Sequence, residues 1–390
     1  MLTATTVRTK TIDVVYIKAG GGHRAAAVAL DVAIREQGRP WRVRLVDLVD
    51  ILDPQDVVRR ITTKRPEEYY NLRLERGWTL GLIRERHVLQ AALRMGHRAV
   101  VKRMQAHWDA SRPDLVVSVA PHFNRQMFDS LQRSRPDTPY VTVLTDFADL
   151  PPRYWIEPRQ PQHWICGTPR AALQARAAGC DPARVHRTSG MVIHPDFYLD
   201  HQVDRAAAMA ELGLDPDRPT GMVMFGGHGS KQMRVIAKRL ADTQLIFVCG
   251  HNSGLADDIR AMDSSAPRVV LGFTSEMRRY MRLCDYFIGK PGPGSISEAI
   301  SQGLPAIVVR NAWTMHQERY NTEWVQENNV GVVLESYRDI REGVAEVVDN
   351  MDAYRVAVGR ISNRAVFEIP DLLQSIMGVP QAWPNLTAAV

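Results

Sequence analysis

A histidine at the edge of a glycine turn is the first residue of this chain whose type and position suggest chemistry. His23 follows Gly20–Gly22 in YIKAGGGHRAAAVAL and precedes an alanine-rich run with strong helix propensity. An imidazole titrates close to neutral pH and can accept a proton there. GGGHRA also satisfies the loose pattern G-x-G-x-x-[GA], and Asp47 follows the next strand, so a dinucleotide-binding turn is one interpretation. A solvated loop histidine is the alternative.

A second glycine-rich segment, KPGPGSISEAISQGLP (290–305), predicts an anion-binding helix start. Gly292 and Gly294 allow a tight loop, and we expect Ser295 and Ser297 to cap the helix that follows. A helix N-terminus favours phosphate, and Glu298 in the first turn is placed to reach ribose hydroxyls. The segment lacks GK[ST], so it is not a Walker loop.

Polar side chains follow three more apolar runs in the second half of the chain. His316, Gln317 and Glu318 in WTMHQERYN are suited to hydrogen bonding with sugar hydroxyls. Two other glycine turns, GGHGS (226–230) and CGHNSG (249–254), add backbone N–H groups and include the candidate ligands Gly227, His251 and Asn252. Taken singly, each histidine is more simply a solvated loop residue, and the polar helix start needs no ligand.

Two series of strands and helices must position these residues. TIDVVYIKA (11–19), WRVRLVDLVDIL (41–52), DLVVSVA (114–120) and YVTVLTDF (140–147) predict strands, and 22–38 predicts a helix between the first two. After GMVIHPDFY (190–198) a second series begins, with strands in 220–230, 244–250, 268–273, 285–295, 304–310 and 331–336. The βαβ rhythm predicts two parallel, doubly wound halves joined near residue 195.

Composition describes an ordinary globular protein with one unusual segment. The 390 residues are 45% hydrophobic and carry a net charge of +6. We expect no secretion signal at the N-terminus, no membrane span and reduced cysteines. Residues 59–103 carry twelve Lys or Arg against four Glu, a local balance of +8, among apolar residues that include Trp78, Leu89 and Leu93. The region 55–110 is therefore interpreted as a basic amphipathic insertion.

The order of these motifs resembles a known family. AGGGHRAAA early and KPGPGSISEAISQGLP late, with CGHN, LGFTSEM and HQE in sequence, resemble the monogalactosyldiacylglycerol synthase and processive diacylglycerol glucosyltransferase group of glycosyltransferase family 28. MurG is a more distant relative, and the resemblance spans roughly residues 12–335. It implies a GT-B fold, in which two Rossmann-like domains face a cleft. The domains are then an acceptor-binding domain at 1–194, a UDP-sugar-binding domain at 195–365 and a C-terminal tail at 366–390.

The resemblance also implies an inverting hexosyltransferase that uses UDP-glucose or UDP-galactose and needs no metal ion or other cofactor. Phe273, Thr274 and Met277 would surround the uracil. The diphosphate would lie against Ser295 and the glycines beside it, and Gly22 and Gly272 are further candidate donor-binding residues. Glu298 would bind the ribose, and Gln317 and Glu318 the sugar. His23 would lie near the reacting hydroxyl, and Asp146 would orient a histidine, act as the base or be a structural carboxylate.

The implied acceptor is a diacylglycerol-type lipid at the cytoplasmic face of the cell membrane, to which residues 59–103 would dock on anionic lipid. Two departures from the family pattern, Pro151 and Ala120, lie on the acceptor side and leave a non-diacylglycerol acceptor open. A UDP-N-acetylglucosamine 2-epimerase shares this fold class but gives no reason for the basic insertion. A nucleic-acid-binding module is a third interpretation, although no recognised nucleic-acid motif is present, and we expect no nucleic-acid partner.

Overall fold

The computed structural model describes residues 9–19, 21–65, 68, 69, 72, 91, 93–149, 154–199 and 204–378. In the N-terminal half, six parallel strands form one sheet in the order β2-β1-β3-β4-β5-β6. The strands are β1 (Lys10–Tyr16), β2 (Trp41–Asp47), β3 (Leu115–Ser118), β4 (Tyr140–Val143), β5 (His163–Cys166) and β6 (Val185–Arg187). Strands β3 and β4 are buried along their whole length, as expected of a parallel sheet covered on both faces.

Helices cover this sheet. They are α1 (Gly22–Glu36), α2 (Leu48–Leu52), α3 (Val57–Thr62), α4 (His97–Ser111), α5 (Asn124–Ser134) and α6 (Pro169–Ala177). The predicted strand 41–52 is wrong beyond Asp47, where α2 begins. The reason is local, because the Asp47 carboxylate accepts the backbone N–H of Val49 at 3.1 Å and so caps a new helix.

A second sheet of six parallel strands forms the C-terminal half, in the order β12-β11-β10-β7-β8-β9. Its strands are β7 (Thr220–Met224), β8 (Gln244–Val248), β9 (Arg268–Leu271), β10 (Tyr286–Gly289), β11 (Ala306–Val309) and β12 (Gly331–Leu334). The helices are α7 (Arg205–Glu211), α8 (Gln232–Arg239), α9 (Ser253–Arg260), α10 (Met277–Met281), α11 (Pro293–Ser301), α12 (Arg319–Glu327), α13 (Ile340–Asp349) and α14 (Met351–Gly359). The expectation of two doubly wound α/β halves is confirmed.

Strand order shows where each sheet can hold a ligand. In an open parallel sheet, the crevice lies at the carboxyl ends of the two strands between which the order reverses. In the N-terminal sheet those strands are β1 and β3, and in the C-terminal sheet they are β7 and β10. The turns after β1 and after β10 are those of the AGGGHRAAA and KPGPGS motifs. Topology therefore places both motifs at ligand-binding positions.

The last helix of the described residues, α15 (Ala365–Ile376), packs against the N-terminal half. Val366, Ile369 and Leu373 are buried in the same cluster as the inner face of α1. Arg39 after α1 donates hydrogen bonds to Gln374 and Asp371. The segment set apart from the sequence as a tail thus contributes apolar surface to the first domain.

Most of the basic segment 59–103, including Trp78 and Leu89, lies outside the described residues. Within the described part, Leu93 is only 9% exposed and belongs to the core, whereas Met95 is 84% exposed between Arg94 and Arg98. Trp108 is buried and donates its indole N–H to Ser130 at 2.8 Å, so it has no face for stacking on a base. None of the helices in the described ranges is long and apolar enough to span a bilayer.

Candidate active site

His23 lies in the first turn of α1, at the carboxyl end of β1. Its Nδ1 is 3.1 Å from Thr145 Oγ1 in the loop after β4, and its ring centroid is 5.8 Å from that of Trp155. Burial lowers the pKa of His23 to about 4, a backbone hydrogen bond at Val119 acts in the opposite direction, and the charge of Lys290 lowers it further. The imidazole is therefore neutral at pH 7 and available to accept a proton.

Asp146 follows Thr145 in the loop after β4, shares the neighbour Trp155 with His23 and is 7% exposed. Its Oδ2 accepts the indole N–H of Trp155 at 2.8 Å. Burial raises the pKa of Asp146 to about 7, the Trp155 hydrogen bond lowers it, and the nearby Glu318 raises it. A carboxyl that titrates near neutral pH at the carboxyl end of a central strand suits proton transfer.

The next carboxylate of the loop has a different role. Asp149 accepts three backbone N–H groups, from Tyr154 at 2.9 Å, Trp155 at 2.7 Å and Ile156 at 3.3 Å. These bonds hold the Trp155 segment against the loop after β4. Asp149 therefore fixes the indole that contacts both His23 and Asp146.

An ion pair of the C-terminal half faces these residues. Lys290 follows β10, and its Nζ lies 2.9 Å from Oε1 of Glu318, which is 5% exposed. Glu318 ends the short 3-10 turn His316–Glu318 and precedes α12. The ring of Phe147 in the loop after β4 lies 4.7 Å from that of Trp324 in α12, so the carboxyl ends of the two sheets meet here. The charge of Lys290 lowers the pKa of both His23 and Asp146.

The glycine-rich loop after β10 leads directly into α11. Gly292 is the N-cap, and no side chain caps the helix. The predicted capping by Ser295 and Ser297 is wrong, because both already lie inside the helix, which begins at Pro293. The first backbone N–H groups of α11 are thus left for another acceptor, as an anion site requires.

Glu298 lies on α11 behind this loop and is partly buried. Burial raises its pKa to about 7. No hydrogen bond or ion pair joins its carboxylate to any described residue. A partly buried carboxyl without a hydrogen-bond partner is stabilised by a hydroxyl donor, which a ribose supplies.

Residues from the turns after β7, β8 and β9 meet at the other end of the C-terminal crevice. The rings of His251 and Phe273 stack with centroids 4.4 Å apart and planes 12° apart, and Phe273 is 65% exposed. The backbone N–H of His251 donates to the carbonyl of Gly227 at 2.8 Å. Asn252 accepts the N–H of Leu255 at 3.0 Å and caps α9. An exposed aromatic face backed by a second ring suits a planar base.

One glycine explains how these turns come so close. Gly250 has a φ of +60°, and a Cβ on it would lie 2.2 Å from the carbonyl oxygen of Gly227. Any side chain at position 250 would separate the turns after β7 and β8. A Cβ on Gly272 would be 3.7 Å from the Gly250 carbonyl, so the turn after β9 joins the same group.

The remaining predicted site residues make local contacts and do not form one cluster. Thr274 Oγ1 accepts the backbone N–H of Glu276 at 3.0 Å, and Met277 begins α10 and packs partly against the core. Gln317 donates to the sulfur of Met315 at 3.4 Å. Gly22 and Gly294 have open space where a Cβ would lie.

Two other chemistries can be compared with the structure. Asp47, the acidic residue that a dinucleotide site would need, lies 2.9 Å from Lys18 Nζ and caps α2, so its carboxylate is already engaged. In the part of the chain that the structure describes, no three His, Cys, Asp or Glu side chains lie together as a metal site requires.

Three residues of this site escaped the sequence reasoning. Lys290 carries a weak signal, since it directly precedes the PGPGS loop. Thr145 is adjacent to Asp146 in the chain, but nothing in the sequence connects it with His23, 122 residues away. Trp155 carries no positional signal at all, because its contacts depend on the Asp149 hydrogen bonds.

Solved structures with this fold include glycosyltransferases. MurG from Acinetobacter baumannii aligns with a TM-score of 0.57 at 12% identity, covering 94% of this chain and 99% of that chain. A UDP-GlcNAc 2-epimerase from Neisseria meningitidis aligns with a TM-score of 0.55 at 11% identity, covering 94% and 99%. Similarity at this level concerns the fold alone, which is GT-B.

Family models distinguish between a glycosyltransferase and an epimerase, which share this fold. Residues 223–372 match the glycosyltransferase family 28 C-terminal domain, and residues 23–193 match monogalactosyldiacylglycerol (MGDG) synthase. The fold and these two matches define the protein as a glycosyltransferase of the hexosyltransferase class.

Relatives agree with both matches. A probable monogalactosyldiacylglycerol synthase 2 of rice is 28% identical over 367 residues, covering 87% of this chain and 74% of the relative. Monogalactosyldiacylglycerol synthase 1 of Arabidopsis thaliana is 25% identical over 401 residues, covering 96% and 73%. The chain is therefore similar to glycosyltransferase family 28 in its C-terminal half and to the monogalactosyldiacylglycerol synthases in its N-terminal half.

Proposed function

We propose that this protein transfers a hexose from UDP-glucose or UDP-galactose to a diacylglycerol-type lipid and inverts the anomeric centre, so that the product is a β-glycolipid. The observation that carries the proposal is the match of residues 23–193, the half that supplies His23 and Asp146, to the MGDG synthase model. The name of that family states a diacylglycerol product, and the candidate proton acceptors lie in the same half.

The donor nucleotide is proposed to lie along the C-terminal crevice. The exposed ring of Phe273, backed by His251, would stack on the uracil. The ribose hydroxyls would donate hydrogen bonds to the Glu298 carboxylate. The diphosphate would accept hydrogen bonds from the free N–H groups at the start of α11, near Ser295. Gly22 and Gly294 leave room for phosphates near the backbone, and the space beside Gly292 is bordered by Lys290 and Glu318. This arrangement stabilises the departing diphosphate through backbone dipoles and requires no metal ion or other cofactor.

The sugar would then occupy the junction of the two halves, where Glu318 and Gln317 accept or donate hydrogen bonds to its hydroxyls. The acceptor oxygen attacks the anomeric carbon while the bond from that carbon to the diphosphate breaks on the opposite face. The hydroxyl proton passes to His23 or to Asp146. The imidazole of His23 is neutral near pH 7, and the carboxyl of Asp146 is partly ionised there.

The lipid acceptor implies contact with a membrane. Residues 59–103, with a balance of +8, are proposed to dock on anionic lipid at the cytoplasmic face. Buried Leu93 is not part of that surface, whereas exposed Met95 between Arg94 and Arg98 is. Basic side chains bind anionic headgroups, and an exposed apolar side chain inserts at the boundary between headgroups and acyl chains.

The decisive experiment offers the protein a panel of UDP-sugars with vesicles that contain diacylglycerol and phosphatidylglycerol, in buffer with and without EDTA. We expect UDP release coupled to a diacylglycerol hexoside, with the β configuration read by proton NMR of the product. His23→Ala and Asp146→Asn are the matched variants, and Asp263→Asn, an exposed aspartate, is the control.

Conversion of UDP-N-acetylglucosamine to its 2-epimer, without any lipid product, would replace this proposal with the epimerase function. Transfer only to a soluble acceptor would retain the glycosyltransferase and remove the lipid. Loss of activity in EDTA that Mg²⁺ or Mn²⁺ restores would overturn the metal-independent mechanism.

A further inference from the structure

Lys290 occupies a position that the donor and acceptor assignments do not use. It follows β10 and lies between Gly226 and Gly292, at the point where the order of the C-terminal strands reverses. A Cβ on Gly292 would lie 3.5 Å from Lys290 Cε, and a Cβ on Gly226 would lie 3.8 Å from it. The two glycine turns therefore form a channel for the lysine stem.

The ammonium group at the end of that stem contacts Glu318. The Nζ–Oε1 distance is 2.9 Å, and the two side chains are 32% and 7% exposed. Burying a carboxylate to this degree costs free energy, which a charged partner offsets. Glu318 also precedes α12, so its backbone is held by the helix while its carboxylate is held by Lys290.

The same ammonium group acts across the junction of the domains. It lowers the pKa of His23 and of Asp146, whereas Glu318 raises the pKa of Asp146. The charged and titratable groups around the pair come from several elements: His23 from α1, Asp146 from the loop after β4, and Tyr337, whose hydroxyl donates to the Gly289 carbonyl at 2.8 Å. Asp149 of the same loop acts on Asp146. Removing the lysine would leave an uncompensated negative charge opposite Asp146.

We propose that Lys290 is a positioning residue for sugar transfer: it fixes the Glu318 carboxylate toward the donor sugar and sets the electrostatic potential at the proton acceptor of the opposite domain. The proposal rests on the proposed function for its reaction. Lys290 belongs to the donor half and acts through its charge on the base of the acceptor half. It does not contact the transferred proton.

The test compares Lys290→Met, which keeps most of the stem, with Lys290→Arg, which keeps the charge. Lys238→Met, an exposed lysine of α8 in the same domain, is the control. Both kcat and kcat/KM of transfer are measured from pH 4 to 9. We expect Lys290→Met to lower kcat at least tenfold and to move the acid limb to higher pH by about half a unit or more, since loss of a nearby cation raises the pKa of a base. Lys290→Arg should restore the limb.

A second readout does not depend on transfer. NMR of the full-length protein with labelled histidine follows the titration of His23, assigned with His23→Gln. We expect its midpoint to rise in Lys290→Met and to stay unchanged in Lys238→Met. Activity that falls while both the acid limb and the His23 titration stay in place would show a purely structural role and overturn the proposal. If the wild type transfers no sugar, the proposed function fails, and the histidine titration alone still decides the role of Lys290.

Discussion

Asp146→Asn is expected to make the protein more stable at pH 8 and less active. The pKa of Asp146 is about 7 in the folded protein, against an ordinary value of 3.8. Below pH 3.8 the group is protonated in both states and contributes nothing. Between 3.8 and 7 the folded protein holds a proton that the unfolded chain has released, so the free energy of unfolding falls as pH rises. Above pH 7 the full cost of a buried carboxylate is present.

The magnitude follows from the difference between these two values. A shift of about 3 units, at about 1.4 kcal/mol per unit, corresponds to about 4 kcal/mol above pH 7. Asn fills the same volume and retains an oxygen that can accept the Trp155 N–H. Burial of its amide offsets part of the gain, so we expect a net increase of about 1–4 kcal/mol at pH 8 and almost none at pH 4.

Urea unfolding at pH 4, 6 and 8 measures this difference, with Asp263→Asn as the exposed control. Turnover of the same variants is measured in parallel, and we expect a loss of roughly 100-fold or more if Asp146 takes the proton. Equal stability of Asp146→Asn and wild type at pH 8, or a gain that does not depend on pH, would refute the inference that this carboxyl is buried at the expense of the fold.

Three other predictions concern the base, the donor and the membrane. The acid limb of kcat/KM is expected near pH 7 if Asp146 is the base and near pH 4 if His23 is, and a profile that is flat from pH 4 to 9 would exclude both. Glu298→Ala is expected to weaken UDP binding about 10- to 100-fold in calorimetry, since it removes a charge-assisted hydrogen bond of about 1.5–3 kcal/mol, while exposed Glu335→Ala leaves affinity unchanged. Unaltered affinity in Glu298→Ala would remove this residue from the nucleotide site. Sedimentation is expected to show binding to vesicles containing phosphatidylglycerol, which weakens in high salt and is lost when four arginines are reversed in charge, because each basic residue near an anionic surface contributes about 1 kcal/mol. Equal binding to zwitterionic vesicles would exclude electrostatic docking by these arginines, which are Arg73, Arg76, Arg84 and Arg86.

Much of the fold was predictable because its determinants are local. Buried parallel strands must be apolar along their length, and runs such as QLIFVCG and LPAIVVR show this directly. The helix at Gly22–Glu36 follows from alanine-rich periodicity, and the repeated alternation of strand and helix implies parallel sheets. The glycine turns could be assigned to ligand-binding positions for the same reason, since they end predicted strands.

Boundaries were less predictable where two local preferences compete. Residues 48–52 continue the apolar pattern of β2, but the Asp47 side chain caps a helix there. Ser295 and Ser297 resemble capping residues, yet the helix already begins at Pro293, so their hydroxyls lie too far along it. In both places the outcome depends on where one hydrogen bond forms.

Taken alone, the sequence determined the architecture of two α/β halves and the glycine-rich turns at their strand ends, because both depend on periodicity and on residues close together in the chain. Only the tertiary structure joined His23 to Thr145, Trp155 to Asp146 and Lys290 to Glu318, and only it placed α15 on the first domain. These contacts connect residues that lie 9 to about 340 positions apart. The pKa values that make His23 and Asp146 candidates arise from burial and from charges across the domain junction, which no local pattern encodes.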